Sequence, residues 1–175
     1  MGTVCFTGYR PEKLPFGESA DDGLYLRFRE TLYKVIKRLA ERGYTDFISG
    51  VAMGFDTWSA EDVLSMKESF PEITLECAVP FPGQAAKWNM EDKIRRERII
   101  ENSDRVTITS PTYSKSCFFT RNRYMVDRSS VVVCCFDGKS GGTAYTVEYA
   151  KKKGKTVIQI NPSTLVVSIS DASQL

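Results

Sequence analysis

The chain has 175 residues, 42% hydrophobic and 26% charged, enough for one domain with a buried core. Its 24 Lys plus Arg against 22 Asp plus Glu leave a net charge of +2, too balanced to signal nucleic-acid binding by bulk charge. Histidine is absent, which excludes Ser-His-Asp triads, Cys-His dyads and imidazole metal sites and leaves acid–base work to Asp, Glu, Lys, Tyr, water or a substrate.

In chain order, a strand is expected over Thr3–Thr7, followed by the turn Thr7-Gly8-Tyr9-Arg10-Pro11. Leu24, Phe28, Leu32, Val35, Ile36 and Leu39 recur at helical spacing and predict a helix from Leu24 to Arg42, ended by Gly43. A strand over Asp46–Ser49 runs into the small-residue loop Gly50–Gly54, and Asp56 opens a helix to about Ser69. The strand Thr74–Val79 stops at Pro80-Phe81-Pro82-Gly83. A helix over Met90–Asn102 carries the charge run Glu91–Arg98, read as a solvated face. A strand over Arg105–Thr109 and a helix over Phe118–Arg128 follow.

Val131 to Phe136 is a continuous apolar run, the pattern of a parallel strand buried on both faces. The loop Asp137–Gly142 has little side-chain bulk; Thr143 is placed to cap a helix over Ala144–Lys153 that Gly154 stops, and Val157–Ile160 starts a sixth strand. Residues 1–162 read as one domain and 163–175 as a Ser-rich peripheral tail without a clear period. Six strands alternating with helices predict an α/β protein with a three-layer, mainly parallel sheet whose ligand site lies beyond the carboxyl ends of the strands.

No apolar run approaches the roughly 20 residues of a membrane span. The chain enters a strand at once without a signal-peptide pattern, so a soluble cytoplasmic protein is expected. Four of the five cysteines fall in or beside predicted strands and read as buried thiols; Cys117, near Lys115 and Arg121, is the one candidate nucleophile.

The loop before the last helix points unpaired N–H groups and a positive helix end above the sheet, which suits phosphate. Ser140 and Thr143 are candidate hydroxyl donors, and Gly141 and Gly142 candidate backbone donors. Gly8 allows close approach and Arg10 offers a planar fork for phosphate, unless it is a surface residue of a Pro-terminated turn. Gly50 and Gly54 resemble half of a dinucleotide loop, although G-x-G-x-x-G and the Walker pattern are both missing. Asp56 is a helix N-cap or an acid or ribose contact. Arg121, Asn122 and Arg123 form a polar helix face, a phosphate clamp or a base-stacking site. Trp88 stacks on a base or anchors the core. No metal or redox cofactor is implied.

The segments CFTGYRPEKL (Cys5–Leu14), SGVAMGFDTWSAE (Ser49–Glu61), PFPGQ (Pro80–Gln84), TRNRYMVDRSSVVV (Thr120–Val133) and DGKSGGTAYTVEYAKKKGK (Asp137–Lys155) together resemble the YpsA-like branch of the SLOG superfamily. The resemblance reaches to about Pro162. It implies a Rossmann-like fold and a pocket for a nucleotide or nucleotide-derived ligand at Gly8, Tyr9, Arg10, Gly50, Gly54, Arg121, Asn122 and residues 140–143. Tyr9 stands where this branch usually has histidine. The related lonely-guy phosphoribohydrolases carry P-G-G-x-G-T-x-x-E, whereas Ser140–Glu148 lacks the proline and the third glycine.

Two functions follow. One is a sensor or regulatory module for a nucleotide-like small molecule. The other is a hydrolase of the N-glycosidic bond of nucleoside monophosphates, with Asp56, Glu61 and Glu148 as candidate carboxylates and Arg10 and Arg121 holding phosphate. Single-stranded nucleic acid is a weaker expectation, which the near-neutral charge argues against. The resemblance also suggests a homo-oligomer.

Overall fold

The computed structural model describes residues 2–171. Seven strands form one sheet: β1 (Gly2–Gly8), β2 (Tyr44–Ser49), β3 (Thr74–Val79), β4 (Arg105–Ile108), β5 (Val131–Cys135), β6 (Thr156–Ile160) and β7 (Val167–Ser170). Their order is β4-β3-β2-β1-β5-β6-β7, and every pairing is parallel except β6 with β7. The helices are α1 (Gly23–Glu41), α2 (Phe55–Met66), α3 (Met90–Glu101), α4 (Cys117–Arg128) and α5 (Gly142–Lys152).

Period-two alternation divides the buried residues into two cores. Val131, Val133 and Cys135 face the layer of α1, α2 and Ile99 of α3, while Val132 and Cys134 face Met125 and Val126 of α4 and Val147 and Ala150 of α5. Every residue of β5 is therefore buried, which is why its sequence is a continuous apolar run. The result is a three-layer α/β sandwich of Rossmann-like form. Gly43 and Gly154 follow α1 and α5 with φ of +85° and +67°, the left-handed conformation that ends helices.

Four expectations are corrected. The sheet has a seventh strand in the segment expected to be a peripheral tail. Val167 and Ile169 alternate there with Ser168 and Ser170, and four residues are too short for that period to show in sequence. Residues 172–175 of that tail lie outside the described residues. Asp56 is not the cap of α2, because Gly54 takes that position at φ +85° and places Asp56 inside the first turn. Thr143 likewise lies one residue inside α5, whose cap is Gly141. The charge run of α3 is not wholly solvated. Arg95 turns to Glu18 and Glu61, and Arg96 is buried with its guanidinium on Gln84 Oε1 at 3.3 Å.

The chain steps from β1 outward to β4, then crosses back to place β5 on the other side of β1. The carboxyl ends of β1 and β5 thus flank the point where strand order reverses, the usual location of a ligand crevice in such sheets.

Candidate functional site

A cleft of about 370 Å³ opens there. Its floor is Thr7, Gly8 and Tyr9 from the end of β1, with Gly142 and Thr143 from the start of α5. Four cationic side chains line it, Arg10, Lys13, Lys115 and Arg121, against two carboxylates, Glu12 and Asp56. A chain that is nearly neutral overall is thus locally positive at this edge, and the excess favours an anion. The first turn of α5 adds to it: Gly141 has no side chain to cap the helix, so the leading N–H groups lack a side-chain acceptor, and Gly142 and Thr143 of that turn line the cleft.

Arg121 is the centre of the site. It is 5% exposed, and its Nη1 donates to the carbonyls of Gly50 and Ala78 while Nε donates to Asn122 Oδ1 at 2.7 Å. Those partners are neutral oxygens, so the guanidinium keeps its charge in a low-dielectric setting. Burial pushes Arg121 below the ordinary guanidinium range, opposed by Asp56, and Arg10 adds like-charge repulsion. Gly50 exists for this arrangement, since a Cβ there would overlap the Arg121 guanidinium and come within 2.7 Å of Asp56 Oδ2. The next residue, Val51, is held at φ +44°, a strained conformation for a β-branched residue. Its amide donates to Ser49 Oγ at 3.1 Å, and its side chain is fully buried.

Asp56 is 6% exposed, and burial raises its carboxyl from 3.8 to about 6. Arg121, the amide of Ala52 and Arg10 pull in the other direction. A carboxyl whose pKa lies near neutrality beside two guanidinium groups is suited to proton transfer.

Tyr9 is buried at 4% exposure and spans the switch point. Its hydroxyl donates to Asp137, which also accepts the Lys139 amide at 3.2 Å and pairs with Lys139 Nζ at 2.8 Å. Lys139 and Tyr9 together hold the Asp137 carboxyl down at about 2, while burial and the Asp137 bond push the Tyr9 phenol up to about 12. Tyr9 therefore latches the loop after β1 to the loop after β5. The Lys13 ammonium lies over the Tyr9 ring at 5.9 Å, and the Arg10 guanidinium over Phe118 at 5.7 Å.

Of the residues marked in the sequence, Gly8, Tyr9, Arg10, Asp56, Arg121, Asn122, Gly142 and Thr143 meet at the cleft. Gly50 lies behind Arg121, and a Cβ at Gly54 would come within 3.0 Å of the Tyr9 carbonyl and of Pro11. Ser140 and Gly141 stay in the exposed rim of the loop. Asn122 is tied down, with Nδ2 donating to Thr146 Oγ1 at 2.9 Å, and so joins α4 to α5.

Two carboxylate candidates stand elsewhere. Glu61 belongs to a network with Arg95 and Arg29, and Glu148 is exposed and paired with Lys152 at 2.8 Å. Cys117 is fully buried at the start of α4, and Trp88 sits half-buried in a turn outside the cleft. Sequence reasoning missed Lys13 and Lys115 as cleft cations, and Phe118 and Phe119 as its aromatic wall. The G-Y-R-P-E-K run was the available signal for Lys13.

A larger hollow of about 520 Å³ lies at the amino edge of β2, β3 and β4. Its carboxylates already have partners: Glu76 accepts from Thr107 and Tyr124, Asp46 from Thr74, and Asp104 pairs with Lys67. Among the described residues no cluster of His, Cys, Asp and Glu is arranged to hold a metal ion, and no helix is long and apolar enough to cross a membrane.

Sheet order, layers and the crevice at the switch point define a Rossmann-like α/β domain with a cation-lined cleft. The sequence matches the YspA SLOG family over residues 4–165, and the chain belongs to that family. UPF0398 proteins of Bacillus cereus strain B4264 and Bacillus thuringiensis strain Al Hakam are each 28% identical over 158 residues, covering 89% of this chain and 85% of theirs.

Among solved structures, DNA processing protein A from Streptococcus pneumoniae superposes with a TM-score of 0.64 at 21% identity, over 94% of this chain and 52% of that one. The chain therefore spans about half of that protein's length. DNA processing protein A from Helicobacter pylori, described for its single-stranded DNA binding mode, gives 0.61 at 17% identity over 98% of this chain and 69% of that one. Protein TM1055 gives 0.55 at 18% identity over 90% and 72%. These likenesses show the fold.

Proposed function

We propose that the cleft binds the phosphate of a nucleotide or nucleotide-derived small molecule, and that the protein acts as a sensor or regulatory module for it. The observation that carries this is Arg121: a buried guanidinium spent on neutral carbonyls, beside an open cleft that also receives Arg10, Lys13 and the uncapped start of α5. A phosphate seated on those N–H groups supplies the negative charge that Asp56, raised by burial, supplies only in part.

A second reading is hydrolysis of the N-glycosidic bond of a nucleoside monophosphate. The one observation favouring it is Asp56, a carboxyl held near neutrality at the cleft, whereas Glu61 and Glu148 stand apart. A thermal-shift screen against nucleoside mono-, di- and triphosphates, with chromatography of the products, separates the two. The sensor predicts a shift with intact nucleotide that shrinks in Arg10→Ala. The hydrolase predicts free base, lost in Asp56→Asn. Stabilisation by none of these compounds would sink both readings.

A further inference from the structure

Phe119 lines the main cleft on one side and a second hollow of about 230 Å³ on the other. The second hollow is bounded by Ser116, Phe119, Thr120, Arg123 and Tyr145, and it differs in kind from the first. It holds one cation and two rings. Phe119, 39% exposed, stands edge-on to Tyr145 with centroids 4.8 Å apart. The exposed Arg123 guanidinium lies 5.5 Å from the Tyr145 ring centroid and 5.6 Å from that of Tyr149, and both Nε and Nη2 donate to the Tyr145 hydroxyl.

The guanidinium plane is thus fixed by rings and a hydroxyl rather than by a carboxylate. The nearby Asp127 is occupied by the Tyr149 hydroxyl at 2.9 Å and by Lys153. A flat cation and an exposed phenyl ring, held rigid at the surface and contributing to neither core, form a platform for stacking a planar ring, which every nucleobase supplies.

We propose that this hollow is a second subsite that stacks a planar heterocycle joined through phosphate to the group held in the main cleft, so that the ligand carries two rings. The inference rests on the reading of the main cleft as a nucleotide phosphate site. The joining phosphate belongs either to a 3′–5′ linkage, as at an oligonucleotide end, or to a 5′–5′ pyrophosphate, as in a small dinucleotide.

Calorimetric titration with AMP, with the 3′–5′ dinucleotide pApA and with the pyrophosphate-linked dinucleotide Ap2A tests it. At least one two-ring compound should bind about tenfold tighter than AMP, the gain one stacked base provides. Arg123→Ala and Tyr145→Leu should each erase that gain and leave AMP affinity unchanged. The compound that shows the gain names the linkage. If AMP binds but neither two-ring compound binds tighter, or if the gain survives both substitutions, the second subsite is wrong while the main cleft stands. If AMP and both two-ring compounds fail to bind, the nucleotide reading of the main cleft fails and the subsite falls with it.

Discussion

Gly50 and Asp56 show how tightly the site is built around one buried cation. A methyl group at position 50 has no room between Arg121 and Asp56, so Gly50→Ala should displace the guanidinium. Forced overpacking of this kind costs about 1–3 kcal/mol. The expected outcome is a lower denaturation midpoint together with loss of nucleotide binding, read by urea titration and calorimetry.

Asp56 makes a prediction with a definite sign. Its carboxyl titrates near 6 in the folded chain against 3.8 ordinarily, so between those values the folded state holds the extra proton. Stability contributed by this group therefore falls as pH rises from about 4 to 6, by ~3 kcal/mol at most. Asp56→Asn should abolish that share of the decline and be more stable than the parent at pH 7, although close to it at pH 4. Asp62 is also raised to about 6 by burial, so only the difference between parent and variant isolates Asp56. An identical pH profile for the two proteins would show that Asp56 titrates normally.

At the scale of elements, a side-chain hydrogen bond joins the loops after β1 and β5, the Tyr9 hydroxyl on Asp137. Tyr9→Phe keeps the ring against Phe136 but removes the donor. Losing a hydrogen bond to a charged acceptor costs about 1.5–3 kcal/mol. The Asp137 carboxyl should then rise from about 2 toward 3.8, visible as a shifted midpoint in a carbon-detected NMR titration. The stability Asp137 provides is complete above 3.8 and disappears as pH falls through its folded value. The variant should therefore lose stability at neutral pH and change less on acidification. A midpoint that stays near 2 would mean that Lys139 alone sets it.

Elements were also where sequence was most and least informative. The apolar run of β5 announced a central strand, and the helical spacing of six apolar residues in α1 announced its buried face, because both patterns follow from burial itself. The starts of α2 and α5 were misplaced by a residue or two. Gly54 and Gly141 begin them through positive φ, while the more conspicuous Asp56 and Thr143 fall inside. The strand β7 depends on pairing with β6 and carries too few residues to show a period. The composition of the loops pointed to the edge of the sheet at which the cation-lined cleft opens. What could not be seen was depth: that Arg121 is buried, that Asn122 is a structural tie, and that Glu61 and Glu148 project elsewhere. Helical phase and long-range contacts decide these matters, and neither is written locally.

For the whole molecule, topology explains why a nearly neutral chain has a cationic cleft. Reversal of strand order between β1 and β5 gathers Arg10, Lys13, Arg121 and the start of α5 at one point, from segments more than a hundred residues apart. The most direct test is an amide and arginine-side-chain NMR titration with a nucleoside monophosphate. The account predicts shifts concentrated at Gly8, Arg10, Gly142, Thr143 and the Arg121 Nε–H. Shifts absent there, or confined to the amino-edge hollow at Asp46, Glu76 and Arg105, would contradict it.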